Sequence, residues 1–212
     1  MPAFECKLAI FMEQSQFMED PFDQHRALFG HIEKHIVLNK EDKTLLADLF
    51  SDRVLHRKEV VLNAGEPCRH IYFLNSGILR AFFLDPKGKE HTVMFAMQDW
   101  WITDMHCFLN ELPAMVSIEA VEKAELLCLT KADMDRLFSE IPAFNLFFRK
   151  LMEKAYCREQ LRSLNHLSQP ALERYRHFQK SYPELNQKLT VKQIASYLGI
   201  TPEFLSSLRG IS

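Results

Sequence analysis

The chain has 212 residues, 47% of them hydrophobic and 25% charged, with a formal net charge of −2. That is apolar material for one large domain or two small ones, and its apolar runs, such as Leu8 to Met12, fall far short of the roughly 20 residues a membrane span needs. A secretory leader would need a longer apolar centre and a small-residue cleavage site, so the expected location is cytoplasmic with no membrane partner.

The charge is divided unevenly. From Leu146 onward eleven Lys/Arg stand against five Asp/Glu, while the preceding part carries fifteen against twenty-three. A cationic C-terminal part suits a polyanion that the acidic N-terminal part would repel. Cys6, Cys68, Cys107, Cys128 and Cys157 are isolated singletons, without the paired spacing of a zinc or iron–sulfur site, and read as reduced thiols.

Residues 1–17 show no period and are expected to form an N-terminal extension. From Asp23 to Phe50 the positions Leu28, Phe29, Ile32, Ile36, Leu45, Leu46, Leu49 and Phe50 recur at helical spacing, broken at Asn39-Lys40-Glu41-Asp42, which predicts two short helices. Between Ser51 and Thr130 the texture changes to short Val-, Ile-, Phe- and Tyr-rich runs. These are punctuated by Asn63-Ala64-Gly65-Glu66-Pro67, Asn75-Ser76-Gly77 and Asp85-Pro86-Lys87-Gly88, the pattern of an antiparallel sandwich or barrel.

Lys131 to Glu140 reads as a helix, and Pro142 restarts the chain into a long one from Ala143 to about Asn165. Its stripe Phe144, Phe147, Phe148, Leu151 and Ala155 needs a partner, either the chain's own sheets or the same helix of a second copy. A further helix is expected from Pro170 to Tyr182, stopped before Pro183.

The last stretch, "LTVKQIASYLGITPEFLSSLRGIS", is the most specific. Thr190 and Gln193 have capping-box spacing, Gly199 suits a left-handed helix end, and Thr201-Pro202 opens a second helix. Ile194, Ala195, Leu198, Leu205 and Leu208 would close a small core between the two. This is helix-turn-helix grammar, in which the second helix enters the DNA major groove.

Together these pieces resemble the Crp/Fnr family of transcription regulators over about Met18 to Arg209. The resemblance is carried by "LNAGEPCRHIYFLNSGILRAFFLDPKGKEHTVMFA", "QIASYLGITPEFLSSLR", the "WWITD" of Trp100 to Asp104, and the "ERY" and "YPEL" of Glu173–Tyr175 and Tyr182–Leu185. It implies an α+β chain: a β-roll of the cyclic-nucleotide-binding type, jelly-roll-like with flanking helices, over 18–142; a dimerisation helix over 143–166; and an all-α helix-turn-helix domain over 167–212.

The implied partners are double-stranded DNA, a second copy, RNA polymerase and a small-molecule effector of unknown identity. The implied DNA-contacting residues are Lys192, Thr201, Pro202, Glu203, Ser206, Ser207 and Arg209. Many relatives have Arg at the Ser207 position and basic residues after it, and their hairpin after the recognition helix is not expected here. The alternative reading is therefore a ligand-binding or protein-interaction module whose hairpin no longer reads DNA.

In cyclic-nucleotide-responsive relatives a Gly-Glu and an Arg-Ser pair hold the ligand. Here Thr103-Asp104 and Ala114-Met115 fall at those places, and no Lys or Arg lies between Lys89 and Lys123. A buried phosphate would lack its counter-charge, so cyclic AMP is not expected. Trp100 and Trp101, with Asp104, Ala114 and Met115, either line a pocket for an uncharged ligand or wedge the roll against the long helix. No metal, cofactor or catalytic group is expected. His91, His106 and Cys107 are conceivable haem ligands, and His31 and His35 have metal-pair spacing without a third ligand.

Overall fold

The computed structural model describes residues 22–210; the expected N-terminal extension lies outside them. A 3-10 turn at Asp23–His25 leads into α1 (Arg26–Glu33) and α2 (Lys40–Leu49), the two predicted helices. The break between them is built as the polar stretch requires. Asn39 caps α2 by accepting from the Asp42 amide, and the Asp42 carboxylate accepts the Asn39 amide in return.

Eight strands follow: β1 (Ser51–Leu55), β2 (Val60–Leu62), β3 (His70–Ser76), β4 (Leu79–Leu84), β5 (Glu90–Ala96), β6 (Trp101–Ile102), β7 (Ser117–Ala120) and β8 (Ala124–Thr130). They make two antiparallel four-stranded sheets, in the orders β1-β8-β3-β6 and β2-β7-β4-β5. This is the expected roll, and Leu55, Ile71, Phe73, Leu79, Ile118 and Leu127 are buried in one continuous core.

The roll also holds an ion triad built on a buried arginine. Arg80 on β4, 4% exposed, donates to Glu119 on β7 (2.7 and 3.1 Å) and to Glu90 on β5 (2.9 Å). Three strands of one sheet are thereby cross-linked by a guanidinium whose charge is answered on both sides.

The strands are interrupted once by α3 (Met105–Asn110) and followed by α4 (Lys131–Glu140), capped by the Thr130 hydroxyl. α5 then runs from Pro142 to Ser168, 27 residues or about 40 Å, a few residues longer than the expected span from Ala143 to about Asn165. Phe144 and Phe147 are buried, and Phe148 and Leu151 pack on the same core, so that stripe belongs to the chain's own roll. Further along the helix Tyr156, Leu161, Leu164 and Leu167 remain exposed.

α6 (Ala171–Ser181) ends before Pro183 as expected. A short α7 (Pro183–Lys188) follows that the sequence reading missed; Pro183 begins it as well as ending its predecessor. The chain closes with α8 (Val191–Leu198) and α9 (Pro202–Arg209). Their small core reaches into the roll: Ile78 and Phe95 pack with Tyr175, Phe178, Ile194, Leu198 and Leu205. Among the described residues, no helix is long and apolar enough to cross a membrane.

Candidate functional site

The α8–α9 hairpin is assembled by the local signals that predicted it. Thr190 Oγ1 accepts from the Gln193 amide at 3.2 Å and Gln193 Oε1 from the Thr190 amide at 3.0 Å. Gly199 adopts φ +68°, and the Ile200 amide donates back to the Ala195 carbonyl, closing the helix end. Thr201 Oγ1 accepts from the Phe204 amide at 3.2 Å and starts α9 on Pro202. Ile194, Ala195, Leu198, Leu205 and Leu208 are all buried.

Around this core Lys192, Thr201, Glu203, Ser206 and Ser207 are exposed and Pro202 half-buried, so these candidates share one accessible hairpin. The hydroxyls of Ser206 and Ser207 donate to the carbonyls of Pro202 and Phe204 on their own helix. Arg209 departs from the expected role. Its Nε donates to the Tyr175 hydroxyl at 3.0 Å, and its guanidinium lies beside the Tyr175 ring, which ties the end of α9 to α6. Phe204, not among the sequence candidates, is 48% exposed on α9. An aromatic beside the cap of a recognition helix is a usable contact for a thymine methyl, but its i+3 place relative to Thr201 reads in sequence as core.

The second candidate region lies between the roll and α5, a cavity of about 840 Å³. Trp100, Trp101, Asp104 and Met115 line it together with Ala81, Phe83 and Leu151. Ala114 does not: it is buried behind the wall, its amide on the Glu66 carbonyl and its carbonyl taking the Gly65 amide. Lining and wedging prove compatible for the tryptophans. Trp101 packs on Phe50, Phe73 and Phe147 while one face borders the cavity, and Trp100 meets the Tyr182 ring and carries the Arg158 guanidinium 4.7 Å above it.

Asp104 is the most constrained of the set. Its Oδ1 caps α3 by accepting from the Cys107 amide at 3.3 Å, and its Oδ2 accepts from the Met115 amide at 2.8 Å. The expectation of a cavity without cations needs correcting: Lys154 and Arg158 line it from α5. The stretch between Lys89 and Lys123 is indeed free of them, but α5 lies over the roll and brings its own. Linear separation hid this. At the roll wall the Asp104 carboxylate already occupies the amides of Cys107 and Met115.

The other ligand candidates are engaged elsewhere or dispersed. His91 pairs with Asp85 at 3.0 Å and stacks on Phe83, and that imidazole hydrogen bond, together with the Lys89 and Lys87 amides, holds the Asp85 carboxyl below its usual range. His106 is exposed, whereas Cys107 is buried, and desolvation raises its thiol pKa. Burial likewise pushes up the thiols of Cys68 and of Cys128, the latter to about 11, which keeps them protonated and unreactive. His31 and His35 both pack on the Phe147 ring. Among the described residues no group of three or more His, Cys, Asp or Glu is placed to hold a metal ion.

A two-sheet roll, a long helix laid against it and a capped two-helix hairpin define a β-roll protein with a C-terminal helix-turn-helix hairpin. Residues 52–140 match the cyclic nucleotide-binding domain family, and over about four fifths of the chain the fold is similar to that of solved Crp/Fnr-type proteins. A crp/fnr-family protein from Eubacterium rectale superposes with a TM-score of 0.65 at 19% identity, covering 82% of this chain and 83% of that one. The c-di-GMP responsive regulator CLP of Xanthomonas campestris gives 0.66 at 14%, covering 79% and 88%.

Among curated proteins, the transcriptional regulatory protein btr of Bordetella pertussis is 23% identical over 85% of this chain and 79% of its own length. A cAMP-dependent protein kinase regulatory subunit from Debaryomyces hansenii is 25% identical over 47% of this chain; the match spans only 21% of that protein.

Proposed function

We propose that the protein is a dimeric, DNA-binding transcription regulator of the Crp/Fnr type. One observation carries the reading: a doubly capped α8–α9 hairpin presents a polar face at the end of a Crp/Fnr-type fold. Lys192 and the Thr201 hydroxyl serve as phosphate contacts, and Glu203 accepts from a cytosine amino group. Phe204 packs on a thymine methyl. The domains follow the chain: a sensor roll over 18–142, the dimerisation helix over 143–166 and the DNA-binding domain over 167–212. Relatives bearing the names of transcription regulators support a non-enzymatic role.

The effector is an apolar molecule held between roll and α5 against Trp100, Trp101 and Met115. Cyclic AMP is not the effector in this reading, since the Asp104 carboxylate stands at the roll wall and already occupies the Cys107 and Met115 amides. The inward turn of Arg209 favours one alternative, a hairpin that has ceased to read DNA and serves a protein partner.

Selection of random genomic fragments by gel shift at low salt separates the two. Enrichment of a symmetric sequence is expected, with Lys192→Ala weakening all sites and lowering the salt slope by about 1, and Glu203→Ala relaxing preference at one position. Absence of any enriched sequence would sink the DNA-binding reading.

A further inference from the structure

Away from the roll cavity, a pocket of about 340 Å³ lies between the last turns of α5, α6 and the C-terminal end of α8. Its charged lining is of one sign, Arg158, Arg162 and Arg174, with no Asp or Glu among the lining residues; His166 and His177 also line it. The adjacent acid, Glu159, is on the same helix and is shared: Arg162 Nε donates to it at 2.8 Å, and Arg158 approaches to 3.8 Å. Arg174 spends its terminal nitrogens on two backbone carbonyls, Gln169 at 2.8 Å and Leu198 at 3.1 Å. Its Nε is buried with no hydrogen-bond partner.

Gathering cations in a half-buried space is unfavourable unless something answers them. His166 registers that cost: burial first, then the charges of Arg174 and Arg162, hold its pKa below the ordinary histidine value. An aromatic wall adjoins these groups, from Phe178, Tyr182 and Tyr197, with the Arg162 guanidinium 5.5 Å from the Tyr197 ring centroid. Guanidinium groups suit carboxylate or phosphate oxygens, and the aromatic wall suits a flat apolar body. A volume near 340 Å³ stands at the small end of the ~300–1,000 Å³ typical of ligand pockets.

We infer that this pocket is a second ligand site, taking a small aromatic anion with its carboxylate or phosphate toward Arg162 and Arg174 and its ring on Tyr182 and Tyr197. The placement gives it a regulatory consequence. Arg174 caps the end of α8 through the Leu198 carbonyl, and the His166 ring lies over Gly199, where an added Cβ would meet it at 3.6 Å. An occupant therefore ties α5 to the turn of the hairpin. The site stands on its own geometry and does not depend on the DNA-binding reading.

Calorimetric titration of the full chain tests it with four probes: 1-naphthoate, 1-naphthyl phosphate, the neutral 1-naphthylmethanol and inorganic phosphate. One or both naphthyl anions are expected to bind with one site per chain, and which of the two binds identifies the head group. Each of Arg162→Gln and His166→Gln is expected to weaken that binding about tenfold while leaving the circular dichroism spectrum and melting unchanged. Equal binding of 1-naphthylmethanol would overturn the proposal, as would inorganic phosphate binding as tightly as the naphthyl anions. Undiminished affinity in both variants would place the ligand elsewhere, the roll cavity included, and would equally overturn it.

Discussion

Gly77 joins β3 to β4 at φ +87°, and an added Cβ would lie 2.3 Å from the Lys123 carbonyl oxygen and 2.7 Å from the Ala124 methyl. Both the dihedral and the close approach demand glycine there. Gly88, in the next hairpin, has φ +76° but open space around it. Gly88→Ala should therefore cost about 1 kcal/mol from backbone strain alone, whereas Gly77→Ala should cost at least ~3 kcal/mol because backbone must also move. Urea unfolding of the two variants checks the order; equal losses would mean that the β3–β4 corner yields more easily than its packing implies.

His31 is a second such position. Its ring lies between Phe73 and Phe147, and its pKa is lowered to about 4 by burial above all, then by Lys34, with His35 and Lys154 adding to the effect and Asp99 opposing it. Since the folded pKa is below that of the unfolded chain, the unfolded state binds more protons between about pH 6.5 and 4. Stability is full above that window and lost as pH falls through it. With its partial exposure discounted, the contribution is about 2 kcal/mol. His31→Gln should flatten that part of the stability-against-pH curve relative to the parent; parallel curves would show that His31 titrates normally.

At the scale of elements, legibility follows the range of the signal. The caps at Thr190 and Thr201 are four-residue events, legible in sequence because donor and acceptor are neighbours along the chain; those at Asn39 and Thr130 have the same short range but are not among the predicted caps. α3 and α7, six residues each, were too short to show a period, and their formation depends on what packs against them. The docking of the hairpin was invisible for the same reason. Ser196 on α8 accepts from the Thr92 amide at 2.8 Å and donates to the Glu90 carbonyl at 2.9 Å, so one hydroxyl satisfies two backbone groups on the edge strand β5.

Nothing within ten residues of Ser196 or Thr92 announces this pairing, nor the turn of Arg209 toward Tyr175. Ser196→Ala removes both hydrogen bonds and leaves a buried amide unpaired, a loss of about 1–3 kcal/mol. Hydrogen exchange at Thr92 should accelerate while exchange within β3 and β8 stays slow. Uniform acceleration across the roll would mean instead that hairpin and sheets unfold as one unit.

At the scale of the molecule, α5 has two faces. Phe144, Phe147 and Leu151 are turned to the roll, whereas Leu161, Leu164 and Leu167, with relative exposures of 60%, 54% and 87%, have no apolar cover in a single chain. A helix that leaves three leucines in water over two turns is poorly accounted for as a solvated surface. Because the same stripe exists on every copy, two α5 helices crossing about a twofold axis would cover both at once.

That symmetry also matters for the hairpin. Two recognition helices related by a twofold can enter successive major grooves about 34 Å apart, whereas one alone grips a single half-site. The full chain should sediment as a dimer at micromolar concentration. The pair Leu164→Glu and Leu167→Glu should yield a folded monomer, since neither side chain supports the roll, and should lose selective DNA retention while keeping the melting of the roll. A parent chain that sediments as a monomer would leave those leucines without a partner in solution and remove the twofold on which recognition of a symmetric site depends.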